Sequence, residues 1–266
     1  MAGRRLLCVD LDGTLLDPAG TVAPGVAAAL RQACAAGLAV AVLTARPARD
    51  VPAAVRAAIP ATTCWGYSNG ALVQLPGEAP VRLAGLAPDL VGDLVRDLSA
   101  HCPSWTYALD LAEATVLRDP FPPEAAVHWN DVRRVTAFTG RETASKILVR
   151  TGERAGPAEV ARVQRVLGDR AEVTASGGRY VEVNPPHAGK AAAMCRLART
   201  LGATFVAAAG DGLNDIPMLA AADVSAAPAN AEPAVRAAAA HLLPGNDEDA
   251  VAAFVTLLLG AGAAVD

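Results

Sequence analysis

Aromatic side chains are scarce in this sequence, 4% of 266 residues, and lysine is scarcer: of 23 basic residues only Lys146 and Lys190 are not arginine. The 53% hydrophobic share is therefore mostly Ala, Leu and Val, a supply that suits helices packed on a parallel sheet. Clustered positive charge is missing as well. With a formal net charge of -4 and no block of Lys or Arg, the chain lacks the footprint of a protein that binds nucleic acid or an anionic membrane. Cysteine is sparse and unpatterned. Cys8, Cys34, Cys64, Cys102 and Cys195 include no C-x-x-C pair, which argues against both a disulfide framework and a zinc site. They are expected as reduced, mostly buried thiols in a cytoplasmic protein. Long apolar runs are absent too. The first one stops at Asp10, too short for a signal-peptide core. The last, "VAAFVTLLLGAGAAV", falls short of the roughly 20 residues that span a bilayer and is expected to pack as a final helix.

What is present is an alternation of strand and helix patterns. Leu6 to Val9 is a short, continuously apolar run of the kind a doubly buried parallel strand shows. A helix is expected from Pro24 to Gly37, then a strand over "LAVAVL", a helix over "ARDVPAAVRAAI" and a strand ending at Tyr67. From about Gly77 the texture changes to Thr-, Tyr- and Val-rich pieces in partial alternation, with a hairpin turn expected at Gly177 and Gly178. Two helices, "APDLVGDLVRDLSAH" and "GPAEVARVQRVLG", separate them. After Asn184 the alternation of helix and buried strand returns. The expected architecture is α/β: a Rossmann-like parallel-sheet core domain from residues 1–77 and 184–266, interrupted by an α+β domain over 78–183.

Chemistry gathers at the strand ends. In open α/β sheets, ligands bind beyond the carboxyl ends of the strands, where "CVDLDGT" places Asp10 and Asp12. Side chains at i and i+2 face one side of an extended chain, and Gly13 frees the backbone to turn. Carboxylates held that close repel unless a cation or a shared proton compensates; the alternative is a pair of solvated loop acids. A second strand end, "VAAAGDGLNDIPML", carries Asp211 and Asp215, which could join Asp10 around a hard cation such as Mg²⁺. Helix capping by Asn214 or Asp215 is the structural alternative. Thr44 offers a hydroxyl and a backbone N–H near a helix start, where anions are favoured. Lys190 stands at another helix start, where a cation opposes the helix dipole and so points to a purpose other than helix stability.

Taken in order, "DLDGT" (Asp10 to Thr14), Thr44 in "LTAR", Lys190 in "HAGK" and "GDGLNDIPML" (Gly210 to Leu219) resemble the motifs of the haloacid dehalogenase superfamily of phosphatases. More closely, the chain is similar to the Cof-type branch, in which a large α/β cap lies between the second and third motifs. The resemblance implies that Asp10 is a nucleophile forming an aspartyl-phosphate and that Asp12 is the acid and base for the leaving group and water. It implies Mg²⁺ held by Asp10, the main-chain carbonyl of Asp12 and Asp211, with Asp215 close by or acting through water. Thr44, Ala45 and Lys190 would hold the phosphoryl group, with Asn214 and Asn69 of "SNGA" as secondary contacts. Two departures stand out: Gly189 precedes the lysine where the family usually has a small polar residue, and "AAPANA" (Ala226 to Ala231) replaces an "MGNA"-like loop.

Among inserted-domain residues able to bind hydroxyls or a second anion are Arg118, His128, Arg133, Arg134, Arg179 and Tyr180, though solvated surface residues of these types are commoner. His187, alone in a loop, is expected to be exposed. The expected activity is hydrolysis of a small phosphorylated metabolite, a sugar or polyol phosphate by the branch resembled, in a monomer or homodimer. A phosphomutase and a non-catalytic phospho-ligand sensor are the alternatives. Retention of Asp12 speaks against the sensor, and the lack of a complete G-x-G-x-x-G after a strand speaks against a dinucleotide-binding oxidoreductase.

Overall fold

The computed structural model describes residues 3–122, 129–141, 143–152, 154–176 and 178–262. The chain opens with β1 (Arg4–Asp10), α1 (Pro24–Ala35), β2 (Leu38–Leu43), α2 (Ala53–Ala58), β3 (Cys64–Tyr67), β4 (Leu72–Gln74) and β5 (Val81–Arg82). The middle consists of α3 (Pro88–His101), β6 (Thr106–Asp110), β7 (Thr115–Arg118), β8 (Val132–Val135), β9 (Lys146–Arg150), α4 (Pro157–Leu167), β10 (Glu172–Ala175) and β11 (Tyr180–Asn184). It closes with α5 (Lys190–Leu201), β12 (Ala203–Ala209), α6 (Ile216–Ala221), β13 (Val224–Pro228), α7 (Pro233–Ala238), β14 (His241–Leu243) and α8 (Ala250–Gly262).

These strands form two sheets. The larger has the order β14-β13-β12-β1-β2-β3-β4-β5. It is parallel from β14 to β3, and β4 and β5 continue it antiparallel. Helices cover both faces. Val26 and Leu30 of α1 and Phe254 and Leu258 of α8 pack one side, while Ala193, Met194 and Leu197 of α5 with Met218 and Val235 pack the other. Burial on both faces explains why β1 and β2 read as unbroken apolar runs. The second sheet, β10-β11-β9-β6-β7-β8, is antiparallel except where β7 meets β8, and α3 and α4 cover its apolar face through Val91, Leu94, Leu98 and Val163.

The helix expected over "ARDVPAAVRAAI" is two pieces, a single turn at Ala48–Asp50 and then α2. Pro52 is the reason. It lacks an N–H and forces Val51 before it into an extended conformation, φ -87°, ψ 113°. The strand at Val81–Arg82 carries the first sheet beyond residue 77, where the change of texture begins. All five cysteines are free thiols, but only Cys8 and Cys64 are buried; Cys34 and Cys102 are half-buried and Cys195 is exposed. The turn expected at Gly177 and the side chain of His128 lie outside the described residues. Among the described residues no helix is long and apolar enough to cross a membrane.

Candidate active site

At β1 the chain order of the larger sheet reverses: β2 and β3 run outward on one side, β12, β13 and β14 on the other. A crevice opens where neighbouring connections diverge in this way, beyond the carboxyl ends of the strands. Asp10 is the last residue of β1, Thr44 follows β2 and Asp211 follows β12, so topology brings together residues up to about 200 positions apart in sequence.

Lys190 sits at the centre of the charged cluster. It begins α5, its side chain only 1% exposed, and its Nζ donates to Asp10 Oδ1 at 2.5 Å and Asp215 Oδ1 at 2.7 Å. The other oxygen of Asp215 accepts the backbone N–H groups of Asp211 (3.1 Å) and Gly212 (3.0 Å), so this acid both caps the turn before α6 and faces the lysine. Asp211 is anchored by Thr14, whose hydroxyl donates to Oδ1 at 3.0 Å. Gly13 makes that approach possible: its φ is 77°, and a Cβ there would lie 2.3 Å from Asp211 Oδ2.

Carboxylate oxygens of Asp10, Asp211 and Asp215 all lie within 4.8 Å of one another. At an effective dielectric near 20, each such pair of charges repels by about 3.5 kcal/mol or more. One lysine does not neutralise three acids. Burial, reinforced by Asp215, pushes Asp211 up to about 6. Asp10 is raised well above the ordinary carboxylate range by burial, against the attraction of Lys190 and with Asp215 and Asp211 adding repulsion. Burial also works against the Lys190 charge, but Asp10 and Asp215 outweigh it and hold the ammonium above its ordinary value. A crowded, oxygen-only donor set with surplus negative charge is the chemistry a hard divalent cation requires, so these residues fit Mg²⁺.

Asp12 stands apart from that cluster. Its side chain is 47% exposed, and Arg46 grips both oxygens, Nε at 2.8 Å and Nη2 at 2.5 Å. Thr44 is placed differently from the expectation. Its N–H is spent on Gly66 O at 2.8 Å, completing the β2–β3 junction, and its hydroxyl accepts the N–H of Arg46 at 3.0 Å. Ala45, beside it, reaches the cavity surface, as does Asn214, whose Nδ2 donates to Asn69 Oδ1 at 3.0 Å.

A cavity of about 660 Å³ covers these residues, with Asp10, Asp12, Ala45, Lys190, Asp211 and Asn214 on one side and residues of the second sheet on the other. Hydrogen bonds, buried or partly buried, join the two sides. Ser68 donates to Asp110 at 2.6 Å, and Arg49 donates to Asp110 at 2.9 Å and Thr115 at 2.6 Å. Lys146, on β9, donates to the carbonyl of Ala45 at 2.7 Å and pairs with Glu182 of β11. Asn69 donates to Glu182 at 3.0 Å and Asn184 at 3.1 Å from a left-handed backbone, φ 55°. Arg46, Arg49, Asp110, Lys146 and Glu182 escaped the sequence reading. For Lys146 the signal was there, since it shares the scarcity that singled out Lys190.

Of the inserted-domain residues considered from sequence, Tyr180 lines the cavity. Arg118 lies over the rings of Tyr107 and Phe138, Arg134 pairs with Asp119, and Arg133 and Arg179 are exposed. His187 is exposed as expected.

Residues 7–255 match the family model described as haloacid dehalogenase-like hydrolase. The chain is 40% identical over 83 residues to the 5-amino-6-(5-phospho-D-ribitylamino)uracil phosphatase YcsE of Bacillus subtilis strain 168, a match covering 30% of this chain and 33% of that protein. Among solved structures it is similar to SMU.1108c from Streptococcus mutans UA159, with a TM-score of 0.84 at 23% identity over 96% of this chain and 98% of the other. The HAD subclass IIB sugar phosphatase BT4131 gives a TM-score of 0.80 at 20% identity, covering 96% and 98% of the two chains.

Proposed function

The chain belongs to the haloacid dehalogenase-like hydrolase family, and from that premise we propose that it is a Mg²⁺-dependent phosphatase hydrolysing a small sugar or polyol phosphate through an aspartyl-phosphate. The observation that carries this reading is the convergence of Asp10, Lys190, Asp211 and Asp215 at the strand ends, beneath a cavity closed by the second sheet. Asp10, Asp211 and the main-chain carbonyl of Asp12 would hold the ion, with Asp215 beside them. When bound, Mg²⁺ supplies charge neutralisation at the phosphoryl oxygens.

The chain's own residues do the rest. Lys190 holds one oxygen of Asp10 and so orients the carboxylate. Asp10 attacks phosphorus, a phosphorus–oxygen bond to the leaving group breaks, and Asp12 gives a proton to the departing alkoxide. In the second half, Asp12 takes a proton from water as that water attacks phosphorus, and Asp10 is regenerated with release of phosphate. Splitting one displacement into two lowers each barrier. Arg46 donates to both oxygens of Asp12 and so positions it at the cavity wall before substrate arrives; to carry a proton to the leaving group Asp12 must take one up and give up one of these two contacts. Lys190 and the loop at Thr44 and Ala45 offset charge that builds on the phosphoryl group.

The polyol class is consistent with the Bacillus subtilis relative, whose named substrate joins a phosphorylated ribityl chain to uracil. The test is phosphate release from a panel of phosphorylated sugars, polyols and nucleotides, with Mg²⁺ or with EDTA. Release should require Mg²⁺ and fall by at least about a thousandfold in Asp10→Asn. Undiminished release from that variant or in EDTA would sink the reading, and isomer without free phosphate would point to a mutase.

A further inference from the structure

Arginine is this chain's usual cation, and where its side chain is half-buried it finds a partner. Arg5, Arg46, Arg49, Arg56 and Arg118 each donate to a carbonyl, carboxylate or hydroxyl. Arg150 is the exception. It is half-buried as well, yet among the described residues its guanidinium meets no acceptor, and its Nε is enclosed without a hydrogen bond while its terminal nitrogens are not enclosed. A guanidinium stays charged at any pH a folded protein meets, so losing a proton does not relieve this arrangement; only an acceptor does.

The register of the second sheet puts this cation on the cavity side. Arg150, the last residue of β9, stands opposite Thr106 of β6 and Tyr180 of β11, and residues directly opposite share a face. Tyr180 lines the cavity, its ring centroid 5.1 Å from that of Trp129, and so does Leu148, which precedes Arg150 on the same face of β9. Arg150 therefore follows them at the outer rim. Thr106 Oγ1 is also enclosed and unpaired, so the floor beside the arginine is poor in acceptors. The carboxylates on the two neighbouring strands are engaged elsewhere, Asp110 with Arg49 and Ser68, Glu182 with Lys146 and Asn69. Positive charge is left unbalanced at the rim, opposite in sign to the surplus at the strand ends of the core. Lys146, at the start of β9, reaches Ala45 beside the proposed phosphate site, and Arg150 stands about 14 Å farther along the strand. A carbon chain of hexitol length with an anion at each end, met by the long arginine side chain, spans that gap, and a cavity of about 660 Å³ has room for it.

We propose that the substrate carries a second oxyanion, a carboxylate or phosphate at the end remote from the scissile phosphate, and that Arg150 binds it. The proposal rests on the phosphatase reading and narrows it, from sugar and polyol phosphates at large to those with two anionic ends. The planar guanidinium fork matches the oxygens of either group, and charge-assisted bonds of this kind are about twice as strong as neutral ones. A hydroxyl in the same place would accept a hydrogen bond but leave the charge unbalanced.

Binding is tested by calorimetry on the Asp10→Asn protein in Mg²⁺ buffer, using three open-chain ligands that differ at the far end: glucitol 6-phosphate, which ends in a hydroxyl, 6-phosphogluconate, which ends in a carboxylate, and glucitol 1,6-bisphosphate. At least one of the two ligands with a second anion should bind about tenfold or more tightly than glucitol 6-phosphate, the scale of one hydrogen-bonded charge pair. Arg150→Met keeps the apolar stem but removes the charge, and should cut that preference to under about threefold. Arg150→Gln carries the same expectation and takes its place if the methionine variant does not fold. Each preference is a ratio within one protein sample, so a smaller folded fraction does not imitate loss of the site. No preference for either anion, including no binding at all, overturns the proposal, as does a preference unchanged in the Arg150 variants. Hydrolysis by the native protein is followed in parallel. A preference for the second anion without phosphate release from any of these compounds would overturn the phosphatase reading and leave the Arg150 site standing, whereas release without the preference would overturn the Arg150 site alone.

Discussion

Each side of the cavity carries one of the chain's two lysines, and the two sides hold them differently. On the core side, Lys190 lies between Asp10 and Asp215, both supplied by the same sheet ends, in a group where negative charge exceeds positive. On the other side, Lys146 has one carboxylate partner, Glu182, and spends its next donor on the carbonyl of Ala45 across the cavity. The first arrangement carries surplus negative charge, which in the proposed function a cation balances before phosphate is bound. The second is balanced within itself and ties one region to the other. A buried lysine therefore does not have one meaning: the surplus or balance of its neighbours decides whether it serves chemistry or assembly.

The comparison is broken most severely at Lys190. Lys190→Ala leaves buried Asp10 and Asp215 without their cation and should lower stability by about 3–5 kcal/mol in EDTA, measured by urea unfolding. Part of that loss should return with Mg²⁺, whereas phosphate release should remain lost. A variant as stable in EDTA as the native protein would show that the cluster does not depend on its lysine.

Lys146→Met should cost somewhat less, about 3 kcal/mol, because it strands one buried carboxylate rather than two. The double variant Lys146→Met with Glu182→Leu sharpens the contrast. Removing both charges should restore most of the stability, since a buried pair is often no better than an apolar one. No similar rescue is expected for Lys190, whose partners are the proposed reacting and metal-holding groups. Failure of the double variant to recover would mean that the bonds to Ala45 and Asn69, rather than the charge pair, carry the contribution.

Asn69→Gly gives the smallest expected effect, about 1–2 kcal/mol from losing buried amide hydrogen bonds. Glycine accepts the φ of 55° at this position, so the substitution isolates the side chain's bonds to Glu182, Asn184 and Asn214. Urea unfolding measures it, and an unchanged midpoint would remove Asn69 from the bridge.

The two regions also differed in how readable they were. Around the strand ends, local rules suffice: a doubly buried strand is a continuous apolar run, and an acid just after it marks the ligand-binding edge of a sheet. Asp10, Asp211 and the helix starting at Lys190 could therefore be picked out one stretch at a time. Thr44 shows the limit, because its N–H belongs to Gly66 on the neighbouring strand and no local pattern says so. Likewise, Pro52 was visible, but its division of one expected helix into two pieces was missed. Across the cavity, legibility fell further. Arg49 with Asp110, Lys146 with Glu182, and Trp129 with Tyr180 lie between about 36 and 61 residues apart; Lys146 and Glu182 meet because β9 and β11 are neighbours in the second sheet, and Arg49 meets Asp110 only because the core closes on that sheet.

Alternating patterns and the order of short motifs were enough to establish an α/β chain with a second unit in its middle and a line of acids at strand ends, because burial and turning are decided within a few residues. Which charges share a lysine, which arginine grips Asp12 and which rings face the cavity depended on long-range packing. Those contacts exist only once sheet order and the closure of one region on the other bring distant side chains within about 3 Å, the range at which hydrogen bonds form and charge is balanced.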